Sequence, residues 1–395
     1  MVDLTTKPLA NSKWALLNDY VSPTPIARTS YRLVSADSHV NEPPDLWTSR
    51  VPARFRDRAP RMERFGKGHG WVLEGSADPI PFGRNACAGL GPFEGDPWIT
   101  WEEVRPGGWD PAARLREQDV DGVDAEVLFP TPRISYSIIA NHDGEFHLAL
   151  VRAYNDWLSE YAGYAPARLA GMALLPNRGV AMAVAEVERA AQLPGIRGFL
   201  MGLYPDGNLD MTPECEPLWD AIEASGMPLT IHVTLTDTHP GAHRATLREG
   251  VSRFVDAPGR IEEFIYGGVL QRHPRLRLVF VEVDAGWVPY FKEQADNRWL
   301  RNSPKLREQR NLTERPSSYF DRIAFTYITD RFALRNRRDI GIDSLMWSSD
   351  YPHGGSDYPL SWRMIEGDFA DIPAGERHAI LAGNAVRIFG LDTAR

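Results

Sequence analysis

The sequence predicts an α/β protein built as a (β/α)8 TIM barrel, and three observations carry that expectation. Eight short runs rich in β-branched and apolar residues recur along the chain, helix-like stretches separate them, and chemically active side chains gather at the carboxyl ends of the runs. The runs are YRLVSAD (31–37), DAEVLFP (124–130), LAGMALLP (169–176), GIRGFLMG (195–202), PLTIHVT (228–234), LRLVFVEV (276–283), RIAFTYIT (322–329) and SLMWSSD (344–350). Between them DPAARLREQDVDG, GEFHLALVRAYNDWLSEYAGYA, GVAMAVAEVERAAQL, TPECEPLWDAIEASG and RIEEFIYGGVLQRHP read as helices. Asp110 before Pro111 and Thr212 before Pro213 have the form of an N-cap followed by proline at the first helical position. Gly122 and Gly226 stand where a helix ends in left-handed backbone.

A chain of 395 residues exceeds a typical domain, but α/β barrels use such lengths as one unit, and residues 31–395 are assigned to the barrel. Residues 1–30 lack strong periodicity and are expected to form an N-terminal arm, packed on the barrel or on a neighbouring subunit. Residues 48–109, with the run GRNACAGLGPFEGDPWITW, are a long insertion after the first strand, and an insertion of that length is expected to act as a lid over the site. The formal net charge of −9 argues against a nucleic-acid partner, because phosphate binding needs clustered Lys and Arg, and leaves a small molecule as the expected partner. Two cysteines, Cys87 and Cys215, cannot build a disulfide framework or a thiolate cage, so a reducing, cytoplasmic setting is expected. No apolar run reaches the roughly 18 residues that span a bilayer, and MVDLTTKPLANSKW lacks the apolar core of a signal peptide. Neither secretion nor membrane insertion is expected.

A (β/α)8 barrel builds its active site at the carboxyl ends of its strands. Asp37 ends the first run, with His39 just beyond it and Glu42 close by. His232 lies on the fifth, Glu282 and Asp284 end the sixth, and Asp350 ends the eighth with His353 three residues on. The mixed carboxylate and imidazole set Asp37, His39, His232 and Asp350 suits a divalent first-row metal such as Zn, Mn or Fe. Taken singly, a strand-end Asp serves more often as a turn or cap, and a lone His as a hydrogen-bonded core residue. Taken together on one rim they point to a cation, because several buried carboxylates are costly without one. Glu42, beside Pro43, reads equally as a brace for its turn or as a ligand, and His353 is open in the same way.

The segments SADSHVNEPPDLW, DPAARLREQDVDGVDAEVLFPT, AYNDWLSEYAGYAPARLAGMALLP, MPLTIHV, LVFVEVDAGWVPYF, LMWSSDYPHGGSDYP and GNAVRIFG follow one another along the chain. In that order they resemble the amidohydrolase-related proteins of the metal-dependent hydrolase superfamily, in the branch that includes the aminocarboxymuconate-semialdehyde and hydroxybenzoate decarboxylases. The resemblance covers nearly the whole chain from about residue 31. It implies a distorted barrel of the metal-dependent hydrolase type, with a metal held by Asp37, His39, His232 and Asp350, the last also a proton-transfer group. Those decarboxylases place a histidine in the strand-six motif, where this chain reads VEVDAGWVP and offers Glu282 and Asp284. Glu282, Glu42 and His353 would complete a ligand set for a second cation.

Three functional expectations follow from the resemblance. With one metal, the enzyme acts on a small carboxylate or carbonyl compound by hydrolysis or nonoxidative decarboxylation, using a metal-activated water or a metal-bound substrate and the carboxylates Asp350 and Glu282. With two iron or manganese ions, the same rim suits an oxygenase that hydroxylates carbon. A third reading is a noncatalytic partner subunit of such an enzyme. A homo-oligomer is expected, or a hetero-oligomer with a related subunit. The sequence does not specify the substrate. Arg133, Tyr136, Arg178, His239 and His243 fall in loops where they could meet a carboxylate or simply be solvated, and Trp287 and Trp347 could line a pocket or pack.

Overall fold

All eight expected strands are present and pair in parallel within one sheet, in the order β1-β5-β6-β7-β8-β9-β10-β11. They are β1 (Val34–His39), β5 (Ala125–Phe129), β6 (Leu169–Leu174), β7 (Ile196–Leu200), β8 (Leu229–His232), β9 (Leu278–Val281), β10 (Ile323–Tyr327) and β11 (Leu345–Trp347). The computed structural model describes residues 31–76, 78–89, 96–208, 210–232, 255–301 and 312–392. The expected arm, residues 1–30, and the loop with His239 and His243 lie outside the described residues. Barrel strands are covered on both faces, so their sequences run apolar with little alternation: AEVLF, LAGMAL, LVFV and IAFTY are buried at every position.

The sheet closes almost completely into a barrel at the seam between β1 and β11. Beyond the ends of regular pairing, the Asp350 amide donates to the Asp37 carbonyl at 2.9 Å and the His39 amide to the Tyr351 carbonyl at 2.5 Å. The Ser349 amide adds a bond to Ser35 Oγ at 2.8 Å. The β1–β5 register shifts between Ser35 and Ser38, a bulge of the kind that re-aims a side chain at a barrel rim, and Asp37 lies within it.

Helices follow the strands. In α2 (Pro111–Asp121), the Asp110 side chain accepts from the Ala112 and Ala113 amides, and Gly122 ends the helix at φ 73°, both as expected from sequence. In α6 (Glu216–Ser225), Gly226 closes the helix at φ 69°. Thr212 departs from the expectation: its side chain makes no cap bond to the 3-10 turn Pro213–Cys215 and instead donates to Asp206 Oδ2 at 3.1 Å. The stretch 260–274 forms two helices, α7 (Asp256–Tyr266) and α8 (Val269–Arg272), because Gly268 at φ 73° breaks the run. Cys87 and Cys215 are both buried and not joined in a disulfide. No described helix is long and apolar enough to cross a membrane.

The insertion after β1 has structure that its sequence did not announce. Following α1 (Leu46–Arg50), strands β2 (Arg61–Phe65), β3 (Gly68–Val72) and β4 (Ile80–Pro81) form a small antiparallel sheet of their own. It is held to the barrel through Trp47, which is fully buried edge-on against Trp71 at 5.3 Å; the Trp47 Nε1 donates to the Leu150 carbonyl of α4 (Gly144–Gly163) at 3.2 Å.

Candidate metal centre

Side chains two apart on a strand share a face, so Asp37 and His39 both project from β1 into the barrel mouth, and both are fully buried. His39 Nδ1 lies 2.9 Å from the Pro130 carbonyl, which can only accept; Nδ1 therefore carries the proton, and Nε2 presents a bare lone pair inward. Among the described residues, neither His39 Nε2 nor either oxygen of Asp37 has a hydrogen-bond partner. These atoms converge: His39 Nε2 is 3.5 Å from Asp37 Oδ1 and 3.3 Å from Asp350 Oδ1. His232, the last residue of β8, brings its Nε2 to 3.6 Å from Asp37 Oδ1 and 3.8 Å from Glu282 Oε2, and its ring meets His39 edge-on.

Backbone strain marks the same rim. Glu282, Asp284 and Asp350 are the described non-glycine residues with positive φ, at 60°, 53° and 54°. Side chains adopt that region at a cost and cluster there at working sites. The Glu282 amide donates to Thr326 Oγ1 at 2.8 Å, while Asp330 Oδ2 accepts from the Ala285 and Gly286 amides, so the turn after β9 is held from the next strand end. Burial pushes the Asp350 carboxyl up, but the His353 and His39 rings prevail and hold it well below the usual carboxylate range. His353 Nδ1 sits 2.9 Å from Asp350 Oδ1, and its ring stacks on His39 at 3.9 Å.

The donor atoms form three overlapping groups, each within 4.8 Å: Asp37, His39 and His232; His39, Asp350 and His353; and Asp37, Glu282 and Asp350. Glu42 and Asp284 belong to none of them. Glu42 is buried and its Oε1 accepts from the Thr131 amide at 2.9 Å, which is the bracing geometry; burial raises its carboxyl above the usual range, against the Thr131 bonds. Arg178 donates to the Asn141 and Asn177 carbonyls, tying two rim loops. Trp347 lies in the core, and Trp287 packs on Phe325 with its Nε1 donating to the Val283 carbonyl. The side chains of Arg133 and Tyr136 lie outside the described residues.

Sequence reasoning missed the supports behind these groups. Arg114 of α2, fully buried, donates from Nε to Glu126 Oε2 at 2.5 Å and from Nη1 to the His39 carbonyl at 2.9 Å, and its guanidinium lies 4.2 Å over the Tyr351 ring. Glu126 also accepts from Gln118 and from Ser38 between the two β1 donors. Only the helical position of Arg114 hints at this, since an arginine on an outer helix ordinarily points to solvent.

A (β/α)8 barrel with an imidazole and carboxylate cluster at the strand ends defines the class of metal-dependent barrel enzymes. The chain belongs to the amidohydrolase family, whose model matches residues 36–391. It is 24% identical over 300 residues to a γ-resorcylate decarboxylase of Polaromonas sp., covering 71% of this chain and 87% of that one. A solved amidohydrolase from Mycobacterium avium subsp. paratuberculosis superposes with a TM-score of 0.70 at 20% identity, over 91% of this chain and 98% of the other. The structure of a Polaromonas dihydroxybenzoic acid decarboxylase with bound manganese and 2-nitroresorcinol gives a TM-score of 0.59 at 20% identity, over 92% and 98%.

Proposed function

We propose that this chain is a divalent-metal-dependent enzyme that decarboxylates a small aromatic carboxylate without oxidation. One observation carries the cation: His39 Nε2 and both oxygens of Asp37 are buried acceptors without a partner among the described residues, and Asp350 Oδ1 lies 3.3 Å from His39 Nε2. Acceptors gathered this closely repel one another unless a cation or a proton stands among them. Asp37, His39, His232 and Asp350 would hold the ion, and the oxygen-rich, imidazole-containing set fits manganese, zinc or iron. Held there, the ion supplies positive charge that draws in the anionic substrate and polarises its oxygen. Two of the three relatives compared are named as decarboxylases, and they support decarboxylation over hydrolysis.

The chain's own residues do the rest. Glu282, with a side chain 16% exposed at the mouth beside His232, is placed to deliver a proton to the ring carbon that bears the carboxylate. As the carbon–carboxyl bond breaks, its electron pair is taken up by that proton and carbon dioxide leaves; water then returns the proton to Glu282. Asp350, braced by its backbone bond to Asp37 and by His353, is the second candidate for moving that proton. The insertion, bonded to the loops after β1 and β11, is read as the cover that keeps bulk water out.

Incubating the manganese-loaded protein with a panel of hydroxybenzoates should release carbon dioxide and the matching phenol in equal amounts. Asp350→Asn and Glu282→Gln should each lower kcat by at least about a hundredfold, as losses of groups that hold or transfer protons do. Parent activity of zero across the panel, or full activity in both variants, would overturn the reading. The donor groups share Asp37, His39 and Asp350, which would let the rim take two cations, the premise of a dinuclear oxygenase, but the relatives compared give that reading no support. Oxygen consumption coupled to turnover would select it.

A further inference from the structure

We propose that Asn85, on the 3-10 turn Gly83–Asn85 of the insertion, is a positioning residue that fixes which nitrogen of His353 carries the proton. The inference rests on the cation site described above. Asn85 Nδ2 lies 3.1 Å from His353 Nε2. An amide nitrogen can only donate, so Nε2 must accept, and in a neutral imidazole the single proton then sits on Nδ1. That nitrogen faces Asp350 Oδ1 at 2.9 Å. His353 thereby turns an N–H and not a lone pair toward Asp350, and is not a ligand of the cation, although its position admits either role.

The turn that carries Asn85 is built onto the loop that carries His353. The Ala88 amide donates to the Pro352 carbonyl at 2.9 Å, and the Gly354 amide to the Arg84 carbonyl at 3.2 Å, so bonds cross on both sides of the Asn85–His353 pair. A Cβ at Gly354 would come within 3.1 Å of Cys87 Sγ, which shows how closely the two segments lie. On its other side, the Asn85 carbonyl accepts from Asn41 Nδ2 at 3.0 Å, and the Asn41 amide donates to the Gly108 carbonyl at 2.8 Å. Asn41 follows His39 by two residues, so the insertion grips the β1 and β11 loops together. The side-chain amide of Asn85 is not used in any of these backbone bonds, which leaves it to His353.

A donor to Nε2 has a chemical consequence. Were the partner an acceptor, Nε2 would hold the proton, and Nδ1 would turn a bare lone pair toward Asp350 and His39, completing a second set of cation ligands. Asn85 therefore selects between a one-cation rim and a rim able to take two. Partners of this kind, one bond removed from the ligands, typically change metal affinity or activity about 10–100-fold when lost.

The test is the tautomer itself, read by two-bond proton–nitrogen correlation in zinc-loaded protein labelled with ¹⁵N-histidine, with His353 assigned by its loss in His353→Gln. The parent should show Nδ1–H and an unprotonated Nε2. Asn85→Asp offers Nε2 only an acceptor and should move the proton to Nε2, raising the zinc or manganese bound per chain. Asn85→Ala should lose the fixed tautomer and lower kcat about 10–100-fold with KM little changed. An Nε2–H or zinc-bound Nδ1 in the parent overturns the proposal, as does an unchanged tautomer in Asn85→Asp. If a variant fails to fold, the parent spectrum decides alone. Absence of decarboxylation would sink the proposed function and leave this spectrum unaffected.

Discussion

Asp121 and Asp350 are both buried carboxylates near the barrel seam, and their surroundings drive them in opposite directions. Asp350 meets two imidazoles and is held low. Asp121, 2% exposed at the end of α2, accepts from the Ser361 amide at 2.8 Å and hydroxyl at 2.6 Å, but burial outweighs those bonds and pushes it from 3.8 up to about 7. Between those values the native chain holds a proton that the unfolded chain releases. Stability is therefore greatest below the unfolded value and declines as pH rises through about 7. Asp121→Asn keeps an acceptor for the Ser361 amide and carries no charge. Thermal melts should show the parent losing more Tm than the variant between about pH 5 and about pH 8; parallel losses would show that Asp121 is not the group responsible. Single residues of the site were legible because their types are rare together at strand ends. Their partners were not: Asn85 and His353 stand 268 residues apart, and nothing local to either announces the bond.

At the scale of elements, α2 joins the helix layer to the metal rim. Its ends could be read in the sequence because Asp110 and Gly122 act on their own helix. Its inward arginine could not, because Arg114 is explained only by Glu126 on β5 and the His39 carbonyl on β1. Arg114→Met should cost about 3–5 kcal/mol in denaturant unfolding, since it strands Glu126 as an uncompensated buried charge. A loss under about 1 kcal/mol, within the range of exposed pairs, would show the pair to be solvated in solution. The sheet β2–β3–β4 escaped detection because RMERF is largely exposed and lacks a clear apolar alternation. The two residues Gly66 and Lys67 between paired Phe65 and Gly68 were the available hairpin signal. Thr212 illustrates the reverse error: a cap motif was present, but Asp206 competed for the hydroxyl.

Across the whole molecule, the eight-strand order follows from hydrophobic runs that must be covered on both faces, and such runs survive in sequence as the strongest signal. Closure of the ring at the β1–β11 seam then brings Asp37 and Asp350, the first and last of the proposed ligands, into backbone contact. The proposed cation site is thus a product of barrel closure, with His232 brought to it from the opposite part of the sheet order. The reading of Glu42 shows where sequence stopped: its spacing allowed ligation, while the fold commits one oxygen to the Thr131 amide. Elemental analysis of metal-reconstituted protein, with a manganese titration, tests the central claim most directly. The account predicts stoichiometric manganese, zinc or iron in the parent, and binding weakened by more than about tenfold in each of Asp37→Asn, His232→Ala and Asp350→Asn. A parent that binds no divalent metal, or variants that bind it as tightly as the parent, would contradict it.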